Sequence, residues 1–508
     1  MKKKIILAAL VLFVVFALTT TVKAATEVTT LEELKAALVG TEETIQLKND
    51  IDDTTSGLSM AVTGTKVLDL NGKTLTLNES VFGVLDEAKL TVNGNGKIIT
   101  NGNTDMFFCL AGGELNLENG TFQNKYQGAS ASYAGRIINV TGTENDDGTI
   151  ATVNLGAQAT LISDYGYGIA IFEDSTAANG VKVTVEGTIK AKQMGITING
   201  NAKATTGNVP VVTFLPTANI EATNGPAVYG AGYGIWNFEG GKFVGEEALS
   251  IKSGKFNIIN GEFIANGTFY SSPIDKNNSG AESTGSAISI TSNSTYAGKI
   301  EVIVDGDAII SSENGYAVFE TITNGTQVKV DSLKLVQGLF EGKKGDVKSD
   351  NLEKFVEGGK YSKGVDAKYV SDNVKSAEIG GLQVYGESYT LTIDEDSKKY
   401  LSLDLSEAIE GQTVEVKINE EALEGKYKVK DIIVTYAQGS EVRKLSTTTF
   451  NMPAGDVTIK AVLEEVKAED KEEVKNPQTG DNVVGYAVLF AIALVGISAT
   501  VIIKKNNK

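Results

Sequence analysis

Five residues near the end of the chain, Asn476-Pro477-Gln478-Thr479-Gly480, have types and spacing suited to one kind of chemistry. Pro477 has a fixed φ and pushes Asn476 toward β or polyproline geometry, so the peptide is extended and kinked. Gly480 carries no side chain and leaves the Thr479–Gly480 bond uncrowded. Chemically, this is a peptide bond held open to attack. An apolar run without charge or proline follows from Val483 to Ile503, and Lys504, Lys505 and Lys508 come after it. Its 21 residues would span about 31 Å as a helix, one hydrocarbon thickness. The pattern predicts a transmembrane helix at 483–503, with the lysines keeping the short tail on the cytoplasmic side.

Motif, apolar run and basic tail, in this order, resemble the cell-wall sorting signal of Gram-positive surface proteins, the LPxTG family. Asn476 stands where that family usually has Leu, as in NPxT-type variants. The resemblance implies a sortase as transient partner, whose cysteine attacks the Thr479 carbonyl and releases Gly480 onward. It also implies that Thr479 is then joined covalently to a peptidoglycan amine. The other end agrees: Lys2, Lys3 and Lys4 precede an apolar run from Ile5 to Leu18, and Val22-Lys23-Ala24 offers small residues for cleavage. This reads as a secretory signal peptide over 1–24, removed between Ala24 and Ala25. The expected location is outside the cell, anchored in the wall, with the precursor in the plasma membrane.

Within the expected mature chain, acid–base chemistry has few carriers. There is no His, one Cys, and only Arg136 and Arg443 among arginines. Cys109 follows Met106-Phe107-Phe108 and reads as a core residue. Asp146-Asp147 lies in a Gly/Thr/Asn loop, and Arg136 begins a strand. Asp69, Asp305 and Asp307 flank turns and read as turn formers. No catalytic set, metal site or cofactor emerges. Aromatic residues are better represented: Tyr126, Tyr133, Tyr165, Tyr167, Tyr229, Tyr233 and Trp236 fall in or beside loops. Such rings stack on sugars or cap coil corners. Tyr165, Tyr167, Tyr229, Tyr233 and Trp236 are therefore the candidate ligand-binding residues.

The charge balance narrows the partners. The chain has 46 basic and 64 acidic residues, a net charge of −18. Removing both processed ends takes away seven lysines and Asp481, which brings the net charge to about −24. Such a surface repels nucleic acid and anionic lipid. A single cysteine excludes an internal disulfide, so stability must come from burial and hydrogen bonds.

The elements that would position these residues are short and repeated. Leu90-Thr91-Val92-Asn93-Gly94, Leu115-Asn116-Leu117-Glu118-Asn119-Gly120, Trp236-Asn237-Phe238-Glu239-Gly240-Gly241 and Phe256-Asn257-Ile258-Ile259-Asn260-Gly261 share one template. A second piece, small-aliphatic-any-apolar, recurs around Ile169, Ile196, Val228, Leu249, Ile288 and Val318. Its steps of 27, 32, 21, 39 and 30 residues suit a solenoid with variable insertions. Glycines supply corners, and Asn116, Asn237 and Asn257 are placed to form side-chain ladders. The repeat resembles the right-handed parallel β-helix family, whose members include polysaccharide lyases, hydrolases and many adhesins.

Thr30 and Glu33 fit a capping box for a helix that would plug the first open end, with Leu31, Leu34 and Leu38 on one face. Beyond Gly380, longer alternating strands begin at Tyr389, Thr413, Lys428 and Val457. Gly411–Val416 and Thr449–Ile459 resemble the internalin-type B repeat of bacterial surface proteins. The expectation is an all-β chain: a right-handed parallel β-helix solenoid over 25–385 with a capping helix at 30–39, then a small β domain over 386–465. A charged linker, 466–475, leads to the sorting signal at 476–508 and its C-terminal transmembrane helix. Functionally the sequence points to an adhesin presenting a β-helix face to glycans or host surface proteins. A wall-tethered polysaccharide lyase or glycoside hydrolase is the alternative, and a ligand-free spacer a third reading.

Overall fold

The computed structural model describes residues 24–466 except 54–56, 58, 111, 129–134, 143–148, 172–179, 199–204, 206, 276–281 and 440. The expected sorting motif Asn476 to Gly480, the expected transmembrane helix 483–503 and most of the expected signal peptide 1–24 lie outside the described residues. Among the described residues no helix is long and apolar enough to cross a membrane.

Strands of mostly four or five residues with period-two burial bury too little alone, so each coil pairs with the coils before and after it. The result is a three-sided stack of parallel-paired coils. Face 1 includes Thr65–Asp69, Ile235–Phe238 and Gly254–Ile258. Face 2 includes Thr74–Leu77, Lys242–Gly245 and Glu262–Ala265. Face 3 is an 11-stranded parallel sheet running from Ser59–Val62 to Gly345–Ser349. At about 4.8 Å per strand, that face is about 48 Å long.

Register follows the repeat. Ile169, Ile196, Val228, Leu249, Ile288 and Val318 are successive rungs of face 3. On face 1, Leu115, Val153, Val183, Val212, Trp236, Phe256 and Val302 stack inward in one column. Its aromatic members Trp236 and Phe256 lie nearly parallel at 5.6 Å, and Phe214 of the neighbouring inward column stacks on Trp236 at 6.3 Å. Outside the same strands, Asn257 bonds to Asn237 at 2.9 Å and Asn154 to Asn116 at 2.7 Å.

Both ends of the stack are covered, as unpaired strand edges require. The helix Leu31–Val39 carries the reciprocal Thr30/Glu33 capping box and buries Leu34, Ala37 and Leu38 against the first coils. At the far end the bridges Leu335–Val356 and Val356–Val370 complete a last irregular coil, followed by the hairpin Val374–Ile379/Leu382–Ile393. Tyr361 stacks on Phe340 at 4.8 Å, and Tyr385 closes over Tyr361 edge-on at 5.2 Å.

Leu382–Ile393 belongs to both parts of the molecule. Its first half pairs with Gly359–Tyr361 of the stack, and its second half with Glu407–Ile409 and Val457–Glu465. The position 385/386 therefore falls inside one continuous strand. A second core, including Leu391, Val414, Ile432, Phe450 and Ile459, lies beyond it.

Candidate binding face

The three corners of the coil differ. Between faces 1 and 2 the chain turns tightly, and in two successive coils a glycine makes the turn. Gly241 and Gly261 have φ of 99° and 123°, where a side chain is strained. A Cβ on Gly261 would also stand 3.0 Å from the Gly241 carbonyl oxygen one coil away. The connections there stay short, three residues at 239–241 and 259–261 and four at 215–218 and 305–308. The long connections fall at the two corners that border face 3, for example 125–137 and 266–287 on one side and 294–299 on the other.

These segments shape face 3 into two zones. In the second half they close over it. Its outward rungs Thr197, Tyr229, Ser250, Ser289 and Phe319 are all buried, although outward positions of a bare coil face solvent. Tyr167, Ala170, Met194, Tyr229 and Ala231 form a satellite cluster under Tyr296, whose hydroxyl lies 3.1 Å from that of Tyr229. Further on, the fully buried Glu247 carboxylate pins the segment before Ser286: it accepts from the Thr284 amide at 2.5 Å and hydroxyl at 2.9 Å. Lys252, also fully buried, donates to Thr291 at 2.6 Å. Burial pushes the Glu247 carboxyl above its ordinary range, and the Thr284 amide and the Lys252 charge oppose that shift.

Among the described residues the middle of the first half of face 3 is less covered. Phe108 and Asn139 are neighbouring outward rungs and are half-buried. Beside them Arg136 pairs with Asp105 through Nε and Oδ1, and Asn139 donates to the other Asp105 oxygen at 3.0 Å. Tyr126 and Tyr165 stand at the edge, edge-to-face at 5.5 Å. Two half-buried rings thus lie near a guanidinium–carboxylate pair whose side chains are 16% and 13% exposed. Rings of this kind stack on sugars.

The five aromatic candidates separate accordingly. Tyr165 is half-buried, beside Tyr126. Tyr233 is partly exposed at the corner leading back to face 1, where burial, followed by the Glu301 and Asp331 charges, raises its hydroxyl against the lowering effect of Lys255. Tyr167 and Tyr229 are corrected to buried residues, 2% and 5% exposed, because the inserted segments cover their strands. Trp236 is corrected to the interior: it occupies the inward column of face 1, is 0% exposed, and has aromatic neighbours on both sides. Asp105 and Asn139 were not legible as partners of Arg136, since insertions separate the coils that bring them together. Tyr133 and Asp146-Asp147 lie outside the described residues.

The other candidates take structural roles. Cys109 is buried with its Sγ 3.2 Å from the Gly113 carbonyl oxygen, and burial pushes its thiol up to about 12. Asp69 accepts from Asn71 N at 2.8 Å and shapes the corner. Ala24 and Ala25 precede the first strand, Thr26–Val28, where the described chain begins. Among the described residues no group of three His, Cys, Asp or Glu side chains is arranged to hold a metal ion. Comparison of the chain with family models, curated proteins and solved structures finds no match.

Proposed function

We propose that this is a wall-anchored surface protein, an adhesin, whose coil stack holds a ligand-binding face outside the cell. The observation that carries the reading is the placement of the insertions: they fall at the two corners that flank face 3 and, among the described residues, leave Tyr126, Tyr165, Arg136, Asp105 and Asn139 together and only partly covered. In coil-repeat proteins, insertions gather on the side that meets a partner. The ligand class is carbohydrate, recognised by ring stacking and hydrogen bonding to paired polar groups. In this reading the stack is a right-handed β-helix, and the signal at 476–508 ties it to peptidoglycan through Thr479 after a sortase acts.

The test is a glycan array combined with a depolymerisation assay on the same secreted protein. Binding without cleavage is the expected result, weakened about tenfold by Tyr165→Ala or Arg136→Ala, a loss near 1.4 kcal/mol. New reducing or unsaturated ends would turn the reading to a lyase or hydrolase. No binding to glycans or host proteins would leave a spacer.

A further inference from the structure

A second recess lies at the other end of the molecule, where the last coils meet the strand Leu382–Ile393. It is a cleft of about 740 Å³, within the range of ligand sites. Its floor continues an outward ladder of face 2. Through Thr160, Thr188, Asn219, Lys242 and Glu262 that ladder is polar. At the next rungs it becomes Ile309 and Leu339, and after Lys360 it ends on Val384. Ile309 remains 39% exposed. An apolar stretch thus begins where the cleft begins.

The rim is acidic. Asp307 stands on the coil side, and Glu387 and Glu410 on the side of the second core. Among the described residues none of these three carboxylates has an ion-pair partner, whereas Glu357, also at the edge, is matched by Lys334 at 3.0 Å. Lys360 supplies one positive charge to the lining. Tyr389 lines the cleft with Glu387 and Glu410, and burial, followed by those carboxylates and Asp456, raises its hydroxyl. A cation entering here meets carboxylates without an ion-pair partner, which attract it.

We propose that this cleft binds an extended segment of another protein in which lysine or arginine alternates with aliphatic residues. The aliphatic side chains cover Ile309, Leu339 and Val384, and the basic ones reach Asp307, Glu387 and Glu410. The site is separate from the Tyr126–Tyr165 patch of face 3 and does not depend on its ligand.

The experiment uses the full chain in neutral detergent and two labelled peptides, one alternating lysine with leucine and one alternating glutamate with leucine. The lysine peptide is expected to bind, more weakly as salt rises, and the glutamate peptide to bind at least about tenfold more weakly. Glu387→Gln with Glu410→Gln, both at exposed positions, should weaken the lysine peptide about tenfold at an unchanged melting temperature. Ile309→Ser should weaken both peptides. Arg136→Ala should weaken neither. Equal binding of the two peptides, no binding, or wild-type affinity in the double variant would overturn the proposal. So would displacement of the lysine peptide by a neutral oligosaccharide such as chitotetraose. If the double variant fails to fold, the salt response of the wild type decides, and a flat response overturns it.

Discussion

The Asn257 side-chain amide donates to the Asn237 oxygen at 2.9 Å, one coil earlier on the outside of face 1, while the next residue, Ile258, is 1% exposed. Neighbours in sequence thus meet opposite environments. Ile258→Asp buries a charge without a partner and should cost several kcal/mol, on the order of 3–5. Asn257→Thr loses one half-exposed hydrogen bond and should cost about 1 kcal/mol. Thermal melts of the two variants check this, and equal melting would reverse the inside and outside of the coil.

Glycine at the tight corner is a second point of control. Gly261→Ala combines a left-handed φ with a Cβ 3.0 Å from the Gly241 carbonyl oxygen. A loss of about 1–3 kcal/mol is expected by denaturant titration. Gly425→Ala serves as comparison: its φ is also positive, at 66°, but a Cβ there meets nothing within 4 Å, so strain alone is left and the loss should be smaller.

Much of this geometry was legible in the sequence. The spacing of Ile169, Ile196, Val228, Leu249, Ile288 and Val318 predicts a stack, and these residues are consecutive rungs. Small-aliphatic-any-apolar marks one rung wherever insertions fall, because only the rung must fit its neighbours. The shared template also puts Trp236 at the position of Leu115 and Phe256, which is inward. Its proximity to tyrosine-bearing loops competed with that signal, and the column decides. The roof over Tyr167 and Tyr229 and the pairing of Arg136 with Asp105 were not legible. Both depend on how inserted segments return across coils, and periodicity carries no information about that.

Glu247 makes the roof sensitive to pH. Its carboxyl is shifted upward in the folded protein, so the folded state holds the proton more tightly than the unfolded chain. Its contribution to stability is complete below the ordinary carboxyl value of 4.5 and declines as pH rises through the raised one. Comparing wild type with Glu247→Gln across that window isolates this group from Glu114 and Glu407, whose shifts run downward. The wild type should lose stability relative to the variant as pH rises. A parallel pair of curves would contradict this.

Cys109 should be silent in the native state. With its thiol pushed up to about 12 and fully buried, the thiolate that reacts is scarce and inaccessible. A disulfide reagent at pH 8 should titrate no thiol until denaturant is added, and then one per chain.

Wall anchoring is the central claim, and the fate of Thr479 tests it most directly. Mass spectrometry of muramidase-digested walls from a sortase-positive host should find Thr479 as the new C-terminus, amide-linked to a peptidoglycan cross-bridge amine. Thr479→Ala combined with Pro477→Ala should leave secretion intact and make the protein extractable by detergent alone. Recovery of wild-type protein still carrying Gly480 to Lys508 in that host would contradict the account.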